Sequence, residues 1–297
     1  MLSTEEARAL VLGPDSVSWR VASDARGFLA AGYALMLQVA HPTVSSGVRD
    51  HSDFLAEPWQ RLWRTVDYVD LTVYAGTDAV EVTRRLREMH RAIRGTDPDG
   101  TRYSALEPGA YAWVQATLVY TIVRAHALFV RPLDDADTER LCQEWAGLGR
   151  LLGVRPGDLP ADWAGLCDYV DDMVRGTLRQ TETGDVVLAS IADPPWPAYL
   201  SPWTRPLWRV LRLPLAHVLT LCTVGMLPPA LREVYGLRWS AWRERELRVI
   251  GALSRALTPV LPRAVRVTGP WYLRARAPFL RDNPLVPDGG GHPVAPR

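Results

Sequence analysis

The chain contains no lysine, so all 34 of its basic residues are arginine. Every cationic side chain is therefore a guanidinium, which stays protonated under ordinary conditions and makes a poor metal ligand. Long blocks of one charge are also missing. The 34 basic residues nearly balance 33 acidic ones, with the signs alternating along the chain, and nucleic acid is not an expected partner. Cysteine is scarce: Cys142, Cys167 and Cys222 are far apart and odd in number, with neither a C-x-x-C pair nor the C-x-x-C-H of covalent haem attachment, which argues against a disulfide framework. Residues 1–13 read as an amphipathic helix and lack the apolar h-region of a secretory signal, so cytoplasmic residence is the expectation. The longest apolar stretch, 206–231, is broken by Arg209, Arg212, Pro214 and His217, which disfavours a spanning helix. It reads as a buried helix or, alternatively, as a segment in peripheral contact with a membrane surface.

Common catalytic signatures are absent as well. There is no G-x-S-x-G, H-E-x-x-H, G-x-x-x-x-G-K-[ST] or strand-linked G-x-G-x-x-G, which removes the hydrolase and nucleotide readings that rest on them. Paired Glu-x-x-His motifs for a di-iron carboxylate centre are missing too.

What is present is material for a large helical core. The 297 residues are 47% hydrophobic, ample for burial and against disorder. Apolar residues recur at spacings of three and four while period-two alternation is rare, which predicts an all-α fold. Helices are expected at about 4–12, 26–40, 43–50, 58–74, 77–94, 108–130, 134–152, 161–181, 204–225, 229–235 and 239–258. Segment 95–106, rich in Asp, Gly, Pro and Thr, reads as a surface loop between two helices that pack antiparallel. The Pro-rich and aromatic stretch 192–206 is expected to pack against the domain, and residues 282–297, including His292, to form a flexible tail.

Unusual residues concentrate between Gly32 and Thr117. On the helix at 77–94 the stripe Ala79, Val82, Leu86, Met89 and Ile93 faces inward, and His90 lies at its edge. Such a histidine, read alone, is ordinarily a hydrogen-bonded core residue. Arg61, Arg64 and Thr65 stand at i, i+3 and i+4, so they project from one side of a helix. Facing solvent, the two arginines are simply hydrated; facing inward, they require an anion.

The run from Gly32 through His41 and Pro42 to Gly47, Val48, His51 and Ser52 resembles the opening signature of the oxygenase family that includes latex-clearing protein, the rubber oxygenase, and the fungal oxygenase of mycophenolic acid biosynthesis. Arg61 to Thr65, Gly76, Met89 and His90, Tyr103 to Ala105, and Trp113 to Leu118 resemble later family motifs in the same order, over roughly 26–130. The resemblance implies one helical domain at 1–281, with a globin-like haem-binding core at about 26–130 and a helical cover at about 132–281. It also implies non-covalent haem b and O2-dependent attack on a hydrophobic small molecule, an isoprenoid or other alkene.

By family order the iron ligand falls on His90. Arg61, Arg64 and Thr65 fall on the element opposite it, with Arg61 able to anchor a propionate, and His41 is placed in support of the cofactor. Trp59, Trp63, Tyr74, Tyr111, Trp113 and Tyr120 are candidates to line an apolar pocket. Two departures stand out. Arg64 replaces a lysine that can cap iron, and Gln115 stands where many relatives carry histidine. The rival readings are a non-enzymatic haem or hydrophobic-ligand carrier, and a non-haem metal site built from His41, His51 and His90 with a carboxylate such as Asp50.

Overall fold

The computed structural model describes residues 2–22, 24–52, 58–97 and 99–262, together with Arg266, Gly269 and Leu273. The expected tail at 282–297 lies outside the described residues. Thirteen α-helices occur among the described residues: α1 (Thr4–Ala9), α2 (Val17–Val21), α3 (Ala31–Val39), α4 (Pro42–His51), α5 (Pro58–Tyr74), α6 (Ala79–Arg91), α7 (Pro108–Ala125), α8 (Asp135–Leu152), α9 (Trp163–Gly176), α10 (Glu182–Ala192), α11 (Arg205–Met226), α12 (Pro229–Val234) and α13 (Ala241–Ala256). The fold is all-α apart from two three-residue strands, β1 (Arg94–Thr96) and β2 (Arg102–Ser104).

Local chemistry explains most of the boundaries. Pro42 sits in the first turn of α4 and Pro108 in that of α7, where a missing N–H costs nothing. Glu107 accepts from the amides of Gly109 and Ala110 at the start of α7. Helix α8 ends on Gly153 at φ 87°, a left-handed position suited to glycine, and Arg87 of α6 reaches over that end to donate to the Leu152 carbonyl at 2.8 Å.

One continuous apolar core runs from Leu12 to Leu273. The chain winds so that α3 packs on α4 and α7, α7 on α8, α8 on α6, and α6 on α5. Trp113 of α7 is fully buried and donates its indole N–H to the Leu37 carbonyl at 2.9 Å, fixing α7 to α3. Neither α5 nor α6 makes a close backbone pairing of comparable extent with α7, so the α5–α6 arm stands off from α3, α4 and α7 along one seam.

Several expectations need correction. Segment 95–106 is not a plain loop but an antiparallel hairpin pairing Gly95 with Tyr103, whose buried ring lies over Gly95 and whose hydroxyl donates to Asp50 at 2.5 Å. Strands of three residues are too short to show period two. The helices flanking the hairpin meet only at limited points such as His90 and Tyr111, because α6 packs chiefly on α5 and α8. The helix expected at 161–181 ends at Gly176, and Thr181 then caps a separate helix, α10, by accepting from Gly184. The helix expected through 130 becomes a wider π turn at His126–Val130, over which α13 packs. The Pro-rich stretch does pack against the domain: Trp59 and Trp63 of α5 donate to the Pro195 carbonyl and the Tyr199 hydroxyl.

Candidate active site

Four side chains meet across the seam between the α5–α6 arm and α7. Helix α5 supplies Arg61 and Tyr68, seven residues apart and so on one face. Helix α6 supplies His90 from its last turn, and α7 supplies Tyr111 from its first. The His90 and Tyr111 rings meet edge to face at a centroid distance of 5.7 Å. Arg61 bears electrostatically on His90, and Tyr111 on Tyr68. All four lie deep enough for burial to dominate their protonation, yet each keeps part of its surface accessible. Their partial accessibility places them along the seam and not within the closed core. Tyr111, Val114 and Leu118, at i, i+3 and i+7, form one half-buried stripe along the α7 side.

The protonation states follow from this placement. The His90 Nδ1 lies 2.8 Å from the Leu86 carbonyl oxygen, an acceptor, so Nδ1 carries the proton and Nε2 is left as a bare lone pair. Burial and the nearby Arg61 charge together hold the ring below the ordinary imidazole range, outweighing the opposite pull of the Leu86 bond. The ring is therefore neutral near pH 7. Burial, reinforced by Arg64, lowers the Arg61 pKa as well. Its guanidinium donates to the Ser52 hydroxyl at 2.8 Å, and no carboxylate among the described residues pairs with it. The Tyr111 phenol is pushed up to about 12 by burial, and its hydroxyl is buried without a hydrogen-bond partner. A neutral imidazole with a free nitrogen, a deep cation that meets no carboxylate among the described residues, and an orphaned hydroxyl lie along the same seam. This donor set fits a haem: a nitrogen for iron and a cation for a propionate.

The other expected residues are distributed differently. Arg64 and Thr65 are exposed, and the Thr65 hydroxyl donates to the Arg61 carbonyl at 3.1 Å, so only Arg61 of that trio turns inward. His41 caps the start of α4, buried, with Nδ1 unpartnered and its pKa lowered by burial; no ring contact or hydrogen bond joins it to His90. His51 is exposed at the end of α4 against Tyr103, and Asp50 is engaged by Arg49 and Tyr103. The three histidines and Asp50 thus do not form the ligand set of the non-haem reading, and no cluster of three metal-ligating side chains occurs among the described residues. Gln115 is buried one turn beyond Tyr111.

Of the proposed pocket aromatics, Tyr111 alone borders the seam with His90. Trp113 and Tyr74 are core residues whose polar atoms bond the Leu37 and Trp19 carbonyls, and Tyr120 stacks on Trp163 at 5.4 Å. Two buried groups escaped the sequence reading. Tyr68 was legible in principle from its seven-residue spacing to Arg61. Asp70, pushed up to about 8 by burial and by Asp67, sits where an acid interrupts an apolar run.

Residues 19–256 match the protein family described as "ER-bound oxygenase mpaB/B'/Rubber oxygenase, catalytic domain". No curated protein and no solved structure matches the chain.

Proposed function

The chain belongs to the mpaB/B' and rubber oxygenase catalytic-domain family, and from that premise we propose that it is a haem b-dependent oxygenase acting with O2 on a hydrophobic small molecule, an isoprenoid or other alkene. The observation that carries the haem assignment is the state of His90, whose Nδ1–H is bound to Leu86 while Nε2 remains free. That arrangement fixes the tautomer and orients the lone pair, as in iron-binding histidines generally. When bound, the haem supplies the iron at which O2 is activated.

The chain's own residues account for the rest. Arg61 donates to a propionate, which offsets the cost of burying its charge. Arg64 and Thr65 lie on the exposed side of α5, so the polar role at the buried side falls on Arg61 alone of the three. Val114 and Leu118 present apolar surface that favours a hydrophobic substrate and excludes water. His41 keeps the support role as a buried imidazole with one nitrogen to spare.

The test is an optical spectrum of the chain produced with adequate haem supply, followed by O2-consumption assays with alkenes. A Soret band is expected in the wild type. His90→Ala abolishes it while helical circular dichroism persists. A haem-loaded chain that consumes no O2 with any alkene is a carrier; one that holds stoichiometric metal without a Soret band is a non-haem enzyme. Arg64→Ala, on the exposed side of α5, keeps both the Soret band and turnover; lost turnover in that variant brings Arg64 into the reaction.

A further inference from the structure

Outside the seam, the largest unexplained feature is apolar surface on α11 and α13. The segment Pro202–Met226 is long and apolar enough to cross a membrane, yet only 28% of its most apolar window is buried. The burial is uneven. Leu221, Cys222, Val224 and Met226 belong to the core, whereas Trp203, Leu207, Val210, Leu211 and Leu213 are half or more exposed, Trp203 at 77%. Helix α13 repeats the pattern with Trp242, Val249, Leu253 and Leu257, spaced along one side.

The two stripes adjoin. His217 of α11 bonds Glu246 of α13 at 2.6 Å. Leu213 lies one turn from His217, and Trp242 and Val249 lie one turn to either side of Glu246. Soluble monomers rarely leave contiguous apolar surface on this scale without a partner.

Charge identifies the partner. Helices α11 and α13 together carry seven arginines against two glutamates, in a chain whose net charge is only +1. Arg209 and Arg245 are exposed among the apolar side chains. A second copy docking face to face would bring arginines against arginines, which is repulsive. An anionic bilayer offers both an apolar interior for Trp203, Val210 and Leu213 and phosphates for the arginines, with tryptophans at the level suited to them. Arginines midway along the exposed half, and a second half locked in the core, place α11 along the surface and not across it. We propose that the α11–α13 face is a peripheral docking surface for anionic lipid bilayers.

Helix α11 also touches α5. Trp208 of α11 meets Trp59 of α5 edge to face at 6.0 Å, two residues from Arg61.

The test is co-sedimentation of the full chain with phosphatidylcholine vesicles, with and without phosphatidylglycerol, at low and high salt. The chain is expected to pellet with the anionic vesicles alone, less so at high salt. Val210→Asp with Leu213→Asp lowers the bound fraction by roughly tenfold or more. Arg209→Glu with Arg245→Glu does the same, and decides the matter if the apolar pair loses its circular dichroism. The proposal is overturned if the intact chain ignores anionic vesicles, or if both double variants bind as well as wild type. It is equally overturned if light scattering shows a dimer that the aspartates dissociate, since a second copy then occupies the face. None of these outcomes depends on haem or O2.

Discussion

An imidazole binds a metal through a nitrogen that carries no proton, and an arginine stays buried only at a cost unless an anion meets it. His90 and Arg61 have these two needs in one place. A specific trade-off follows for Arg61→Met. Removing a desolvated cation is expected to stabilise the cofactor-free chain by about 1–3 kcal/mol while weakening haem retention. Denaturant melts and haem-transfer assays on the same variant check both halves; a destabilised apo-chain contradicts the first. His90 was visible in the sequence because it borders an apolar stripe on a helix. The burial of Tyr68 and Asp70 was not, since periodicity tells which face a residue occupies and not how deep that face lies.

At the level of elements, two contacts hold the frame around the seam. The buried Arg26–Asp24 pair, at 2.7 Å, joins the turn at Ala25–Ala30 to Thr258 beyond α13. Asp24→Ala leaves the guanidinium buried without its carboxylate and is expected to cost about 3–5 kcal/mol by chemical denaturation. Gly153 ends α8 at positive φ under the Arg87 side chain, so Gly153→Ala strains the backbone and displaces the α6 contact, costing about 1–2 kcal/mol. Long helices with apolar periodicity, α5, α7 and α8 among them, were legible from sequence. Helix α10 was not: the helix expected there ran from 161 to 181, and residues 182–192, which Thr181 caps as a separate helix, were assigned to no element. The hairpin escaped because three-residue strands leave no alternation to read.

For the whole molecule, pH links the site to stability in two opposing directions. His41, His90 and His126 are all held below 6.5 by burial, so the fold favours their neutral forms. The unfolded chain takes up their protons first, and stability is lost as pH falls below about 6.5. Asp70 acts oppositely. Its pKa rises from 3.8 to about 8, so the folded state keeps a proton that the unfolded state has released, and stability falls as pH rises across that interval. Asp70→Asn is therefore expected to stabilise the fold at pH 8 by on the order of 1–3 kcal/mol and to have little effect near pH 4; equal effects at both pH values contradict the raised pKa. The seam itself could not be read from sequence, because it arises from which helices fail to pair. The all-α class and the oxygenase resemblance could be, because periodicity and ordered motifs are local. The measurement that tests the central claim most directly is the Soret absorbance of His90→Gly with and without added imidazole, after loading with haem. The account predicts a band lost on substitution and restored by free imidazole occupying the vacated position; a band of wild-type position and intensity in His90→Gly without imidazole contradicts it.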